Sequence, residues 1–262
     1  MTATYWHKQS IDEPLFPDLL WSRPETKSQS GKLLIIGGNS FGFGAVGEAY
    51  NQATESGAGS VRILLPLAVK KVAGGVLPDV EFGASTPSGS FGKAALGEWL
   101  TQAQRADSVL LAGDLGRNSE TAILLEEFLA KYPGQITLAK DTADYCLVRP
   151  ELVLNRPDTL LVISLSQLQK VAMAAHFDIA FRLGMDLVQL VNGLHEFTLR
   201  YSVQIIVKHH TQLIVATAGQ ISTTATEEQE DVWRTKTATS ASVWWLQNPT
   251  KTFEALTTSV IQ

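Results

Sequence analysis

Residues 31 to 66 read GKLLIIGGNSFGFGAVGEAYNQATESGAGSVRILLP, and their pattern decides the fold. The opening run, Lys32-Leu33-Leu34-Ile35-Ile36, is apolar at consecutive positions and closes on Gly37-Gly38. A strand apolar on both faces is one covered by two layers, as parallel strands are. Residues 45 to 56, AVGEAYNQATES, then place small and apolar side chains at helical spacing, and Gly57-Ala58-Gly59 stops the helix. The second strand, Val61-Arg62-Ile63-Leu64-Leu65, ends at Pro66. The whole is a β-α-β unit.

Working outward, the alternation recurs. Ser108-Val109-Leu110-Leu111-Ala112 is a strand, Gly113-Asp114-Leu115-Gly116 its turn, residues 119 to 131 a helix, and Gln135-Ile136-Thr137-Leu138 the next strand. Later strands are expected at 159–163, 203–207 and 211–215, with helices near 166–176, 177–200 and 231–247. This order predicts a three-layer α/β domain spanning 1–262, with ligands beyond the carboxyl ends of the strands. The strands that begin at Lys32, Val61, Ser108, Ile136, Thr159 and Val203 should share one mostly parallel sheet. Pro14, Pro17 and Pro24 break any helix in residues 1 to 30, which read as an N-terminal arm over the domain.

The 262 residues, 45% of them hydrophobic, can bury a substantial core. With 21 basic and 26 acidic residues the net charge is −5, so no diffuse positive field exists to hold nucleic acid or an anionic membrane. A small-molecule ligand or a protein partner is expected instead. Cys146 is the one cysteine, and MTATYWHKQSIDEP has neither a basic start nor a long apolar segment, which predicts a cytoplasmic protein without disulfides. The histidines, His7, His176, His195, His209 and His210, suggest no metal site. His209 and His210 are adjacent on an apparent strand and should face opposite sides. Trp233, Trp244 and Trp245 on the last helix suit either core or a contact in a homo-oligomer; core is the commoner use.

Gly42-Phe43-Gly44-Ala45-Val46-Gly47 matches G-x-G-x-x-G letter for letter. The dinucleotide fingerprint, however, needs its first glycine directly after the strand and an acidic residue closing the second strand. Here the strand ends near Ile36, and the second strand carries Arg62 as its only charge. Both requirements fail, so the match is set aside.

Together with LLAGDLGRNSET at 110–121, the opening stretch resembles the carbohydrate-kinase-like domain of the ADP- or ATP-dependent NAD(P)H-hydrate dehydratases, in the ribokinase-like superfamily. Gly37, Gly38, Asn39, Gly44, Ala45, Gly57, Ala58 and Gly59 stand where that family has its first strand end, loop, helix start and second glycine cluster. The family's Gly-Pro-Gly-Leu-Gly-Arg appears as Ala112-Gly113-Asp114-Leu115-Gly116-Arg117, with Asp114 in place of the second glycine. Glycines at strand ends are turn residues by default. The agreement of two clusters in order and spacing goes beyond turn chemistry. It is specific over residues 24 to 121 and faint afterwards.

The resemblance implies the ribokinase-like fold and a lyase that spends ADP or ATP to remove water from a hydrated nicotinamide ring. It implies Gly38, Asn39, Gly44 and Ala45 on the substrate side, Gly113, Gly116, Arg117 and Lys208 near the nucleotide, and Asp231 as base. In the family a Gly-x-Gly-Asp turn opens a late helix, where free amides and the helix dipole receive the anion. Here that turn is Glu228-Gln229-Glu230-Asp231, with glutamates for both glycines. The family's Thr-Pro-His turn with its downstream Glu becomes Ile163-Ser164-Leu165 with Gln167, its Asp-Ala-Asp strand end Lys140-Asp141-Thr142-Ala143-Asp144, and its Leu-Lys-Gly Val207-Lys208-His209.

Plainer roles exist for some of these residues. Acidic side chains from 227 to 231 suit a helix start after Thr226, and a lone Lys208 suits a solvated charge. Two readings follow: a nicotinamide-cofactor repair lyase using ADP or ATP, or a degenerate homologue serving as a ligand-binding or assembly subunit. A kinase for small alcohols is a lesser alternative, because the altered turn would have to hold the γ-phosphate. The loop Asn39 to Phe43 is expected to be mobile, with Phe41 and Phe43 placed to close over something apolar.

Overall fold

In a computed structural model the chain is described over residues 4–226 and 233–261. The stretch 31–66 forms the expected unit: strand β2 (Lys32–Gly37), helix α2 (Gly44–Glu55) and strand β3 (Ser60–Pro66), preceded in the chain by strand β1 (Trp6–Gln9) and helix α1 (Pro17–Trp21). β2 and β3 pair in parallel, with Leu33 opposite Val61 and Ile36 opposite Leu64. Helix α3 (Lys70–Ala73) and strand β4 (Val80–Gly83) follow, then helix α4 (Leu96–Ala103), strand β5 (Ser108–Gly113), helix α5 (Ser119–Lys131) and strand β6 (Gln135–Ala139). Short helices α6 (Thr142–Tyr145) and α7 (Glu151–Leu154) lead to strand β7 (Thr159–Ser164) and helices α8 (Leu165–Ala174) and α9 (Leu187–Arg200). Strands β8 (Gln204–His209), β9 (Gln212–Thr217) and β10 (Gln220–Ala225) precede helices α10 (Trp233–Gln247) and α11 (Thr252–Ser259).

The ten strands form one sheet in the order β1-β10-β9-β8-β7-β6-β5-β2-β3-β4. From β4 to β8 every pairing is parallel, and the six strands expected to share a sheet do so. β9 runs antiparallel to both its neighbours. Consecutive side chains of the central strands enter opposite cores: Leu33 and Ile35 join α2, α10 and α11, whereas Leu34 and Ile36 join α4, α5 and α9. The continuous apolar runs thus report a sheet covered on both faces. No helix among the described residues is long and apolar enough to cross a membrane.

Several expectations need correction. The N-terminal arm does more than lie over the domain, because Pro17 opens helix α1 instead of breaking it and β1 extends the sheet beside β10, with Trp6 opposite Ile221 and Gln9 opposite Thr224. Buried Gln9 donates to Thr224 Oγ1 at 2.9 Å and to the Thr257 carbonyl at 2.7 Å, so its polar head is satisfied. The helix expected over 177–200 begins only at Leu187. Asp186 caps it in a reciprocal pair with Gln189, while Phe177 and Phe181 pack on Phe197 with ring centroids 4.9 and 5.9 Å apart. His210 lies in the turn after β8 with φ of 51°, so the two histidine rings meet edge to face at 4.4 Å instead of facing opposite sides.

Trp244 and Trp245 are core residues, each 1% exposed. α10 has no apolar stripe, because it is buried nearly all round, and small hydroxyl side chains let it approach the sheet. Ser242 donates its hydroxyl hydrogen to the Ala238 carbonyl at 2.7 Å and is hydrogen-bonded to the Thr137 hydroxyl of β6 at 2.8 Å.

On the opposite face fully buried Trp99 of α4 meets Phe91 and Phe128 edge to face at 5.1 and 5.2 Å. Trp99→Ala should lower unfolding stability by about 3–5 kcal/mol, through lost burial and the cavity left behind. Urea denaturation checks this; a loss of less than about 1 kcal/mol would mean that the neighbours collapse into the gap.

Candidate functional site

β2 and β5 are sheet neighbours whose following connections depart to opposite sides: the chain from β2 builds β3 and β4, the chain from β5 builds β6 and β7. Such a reversal leaves a crevice beyond the strand ends. A cleft of about 1050 Å³ opens here, lined by Asn39 and Phe41 after β2, by Asp114, Gly116 and Arg117 after β5, by Lys140, Asp141, Asp144 and Tyr145 after β6, and by Gln167, Lys170 and Arg234.

Its floor depends on close backbone approach. A Cβ on Gly37 would lie 2.6 Å from the Gly113 carbonyl oxygen, and Gly113 itself has φ of 102°, a region that favours glycine. Asp114 follows with φ of 58°, also left-handed, which aspartate tolerates better than most residues. That backbone explains why a glycine suits this place, and why a short polar residue can replace it.

The Asp114 carboxylate is held from two sides. One oxygen accepts the Ala45 N–H in the first turn of α2 at 3.0 Å, where no N-cap side chain does so. The other meets Lys140 Nζ at 2.7 Å. An anion at a helix N-terminus is favoured by free N–H groups and by the dipole. The Asp114 N–H donates to Asp141 Oδ1 at 2.8 Å, and its carbonyl accepts from Asn39 Nδ2 at 2.6 Å. One residue therefore ties β2, α2, β5 and β6 together.

The outer wall is organised around Gln167, which caps α8 with Ser164. Its Nε2 donates to the Lys140 carbonyl at 2.7 Å, and its Oε1 accepts from Arg234 of α10 at 3.2 Å. Tyr145 donates its hydroxyl hydrogen to the Gly116 carbonyl and accepts from the Asn118 N–H. Burial pushes its phenol above the ordinary range. Burial likewise raises the Asp141 carboxyl, opposed by the Asp114 N–H and reinforced by the Asp114 charge.

Of the residues indicated by sequence, Asn39, Gly116 and Arg117 line this cleft. Gly38, Gly44 and Ala45 are not part of its lining, and the Ala45 amide is already engaged by Asp114. Gly113 lies behind the turn. Lys208 borders a second cleft of about 650 Å³, together with Gln52, Thr226, Trp233 and Lys236. Trp233 and Arg234, neighbours at the start of α10, thus border different clefts. Asp231, with Glu228 and Glu230, falls outside the described residues.

The sequence aligns Gln167 with a substrate-pocket motif of the resembled family, Lys140 and Asp141 with another of its strand ends and Asp114 with a glycine, without giving them site roles, and it does not single out Tyr145 or Arg234. The available signal was a charged residue inside a glycine turn, matched by the Lys140-Asp141 pair at the next strand end. The loop from Asn39 is also better fixed than its composition suggests. Asn39 and Gly42 exchange backbone hydrogen bonds of 3.0 and 3.1 Å, and Ser40 N–H donates to the Gly89 carbonyl at 3.0 Å. Phe43 turns into the core, while Phe41 stays out.

No protein-family model matches the chain, and no curated protein matches it in sequence. Among solved structures, a ribokinase-like superfamily protein from Enterococcus faecalis is similar with a TM-score of 0.72 and 17% identity, over 100% of this chain and 87% of that one. A hypothetical protein from Streptococcus mutans gives 0.71 and 16%, over 91% and 83%. The ADP/ATP-dependent NAD(P)H-hydrate dehydratase from Bacillus subtilis, co-crystallized with ATP and Mg²⁺, gives 0.64 and 13%, over 95% and 86%. At these identities the likeness is one of fold, and the fold is ribokinase-like.

Asp141 yields a pH prediction. Its raised carboxyl favours the protonated native state, so its contribution to stability is full below the ordinary value of 3.8 and is lost as pH rises through the raised native value. Asp141→Asn keeps an oxygen for the Asp114 N–H and removes the charge. The variant should melt higher than wild type at neutral pH, and the difference should shrink as pH falls towards 3.8. Melting curves over that range check it; a variant less stable at neutral pH would show that the carboxylate stabilises this turn.

Proposed function

We propose that the chain is a homologue of the ADP/ATP-dependent NAD(P)H-hydrate dehydratases that keeps a small-molecule-binding scaffold without efficient nucleotide-driven dehydration, and acts in the cytoplasm as a ligand-binding protein. The observation that carries this reading is the Asp114 carboxylate, held by the Ala45 amide and Lys140 inside the principal cleft. A free amide and an ammonium that could face an anionic ligand are already occupied by the protein's own anion.

The sequence of the late turn supports the same conclusion. An ionised carboxylate about 4 Å from a phosphate charge costs about 4 kcal/mol at an effective dielectric of about 20, on the order of a thousandfold in affinity. Glu228 and Glu230 replace the glycines at the turn that receives phosphate in the resembled family. Glutamate also lacks glycine's freedom at positive φ.

Two measurements test the reading. With hydrated NADH and ATP, the chain should give no recovery of NADH absorbance under conditions where the Bacillus subtilis dehydratase does. In calorimetry ATP should bind weakly or not at all, and the double substitution Glu228→Gly with Glu230→Gly should tighten it by up to on the order of a thousandfold. Nucleotide-dependent recovery of NADH, or micromolar ATP affinity in the unmodified chain, would overturn the proposal.

A further inference from the structure

Phe41 is 94% exposed, yet the turn that carries it is held by hydrogen bonds on every side. The Asn39 side chain is itself buried, accepting the Phe41 N–H at 2.7 Å and donating to the Asp114 carbonyl at 2.6 Å. Ser40 donates its hydroxyl hydrogen to the Ser88 carbonyl at 2.9 Å, in addition to its backbone bond to Gly89. The polar groups of the turn are spent on fixing it, and the phenyl ring is left at the lip of the cleft. An exposed ring on a flexible loop needs no explanation, but one mounted on an anchored turn beside a cavity is preorganised for contact.

The charges of the same cleft restrict what that contact can be. Asp114 is matched by Lys140, Asp144 lies 3.7 Å from Lys170, and Arg234 is directed to Gln167. Arg117 is exposed at the wall and makes no hydrogen bond or ion pair with a described residue. Arg117, Lys140, Lys170 and Arg234 stand against Asp114, Asp141 and Asp144 in the lining, a small positive balance in which exposed Arg117 suits a ligand of low negative charge.

We propose that Phe41 is a stacking platform for the flat ring of a ligand and that Arg117 receives the ligand's single anionic group. The cleft then takes a heteroaromatic anion of mononucleotide size, for which a volume of about 1050 Å³ leaves ample room. This rests on the reading of the cleft as a small-molecule site. Phe41 and Arg117 determine specificity through ring and charge respectively.

Calorimetric titration with two single-ring mononucleotides, nicotinamide mononucleotide and uridine monophosphate, with their ribosides, and with ribose 5-phosphate separates the two elements. At least one mononucleotide should bind at least tenfold more tightly than either its riboside or ribose 5-phosphate. Phe41→Ala should weaken that mononucleotide roughly 5- to 150-fold, the range for removing an aromatic stacking partner, and leave ribose 5-phosphate unchanged. Phe41→Trp should retain binding. Arg117→Ala should weaken the mononucleotide and ribose 5-phosphate but not the riboside. Because Phe41 is so exposed, its replacement should not move the melting temperature.

Equal mononucleotide affinity in wild type and Phe41→Ala would overturn this inference alone. A Phe41→Ala variant that changes self-association in sedimentation but not ligand affinity would do the same, assigning the ring to a protein contact. If wild type binds none of the probes, the inference falls together with the reading of the cleft.

Discussion

A carboxylate shared between the first turn of a helix and an ammonium is the constraint around which the candidate site is arranged. Asp114 reaches the Ala45 amide and Lys140 together from a left-handed backbone, directly after Gly113, whose own positive φ suits glycine. The Asp114 peptide then fixes Asn39 through its carbonyl and Asp141 through its N–H. Through Asn39 the same anchor sets the turn that carries Phe41. Local strain at a strand end is thereby converted into the relative placement of three separate loops.

The scaffold and the site answer to different physical demands. Strands β2 and β5 must be apolar on both faces because helices cover both, and substitution there is limited by close packing. Residues beyond the strand ends face an open crevice, where one polar group can replace another if the hydrogen bonds are met. Gln167 illustrates this freedom. It caps α8, supports the Lys140 carbonyl and receives Arg234, three tasks available to an amide with both a donor and an acceptor end. A glutamate there would lack the donor for the Lys140 carbonyl.

How much was legible in the sequence follows from the same division. The parallel core could be read because burial writes continuous apolar runs and turn glycines mark their ends, and α2 and α5 were placed within a residue. α9 was overextended because Phe177 and Phe181 continue a helical spacing, although Asp186 and Gln189 form a capping pair that sets the true start. α11 and β10 were missed: one is a short run rich in threonine, the other a strand whose buried polar residues hide its period. The cleft was legible only in part. Its composition depends on Lys140, Gln167 and Arg234 meeting across long separations, and pairing between turns leaves no local pattern.

The pairing of β1 with β10 sets an order of events during synthesis on the ribosome. Residues 6 to 9 come before every other described strand of this sheet in the chain, but the strand they join spans residues 220 to 225. Until more than two hundred intervening residues have been made, Trp6 and Gln9 have no sheet edge to sit on. The parallel centre, whose neighbours are much nearer in the chain, can assemble meanwhile. Of the described strands, the one earliest in the chain is thus the last to be seated, because its place beside β10 exists only once residues 220 to 225 have joined the sheet.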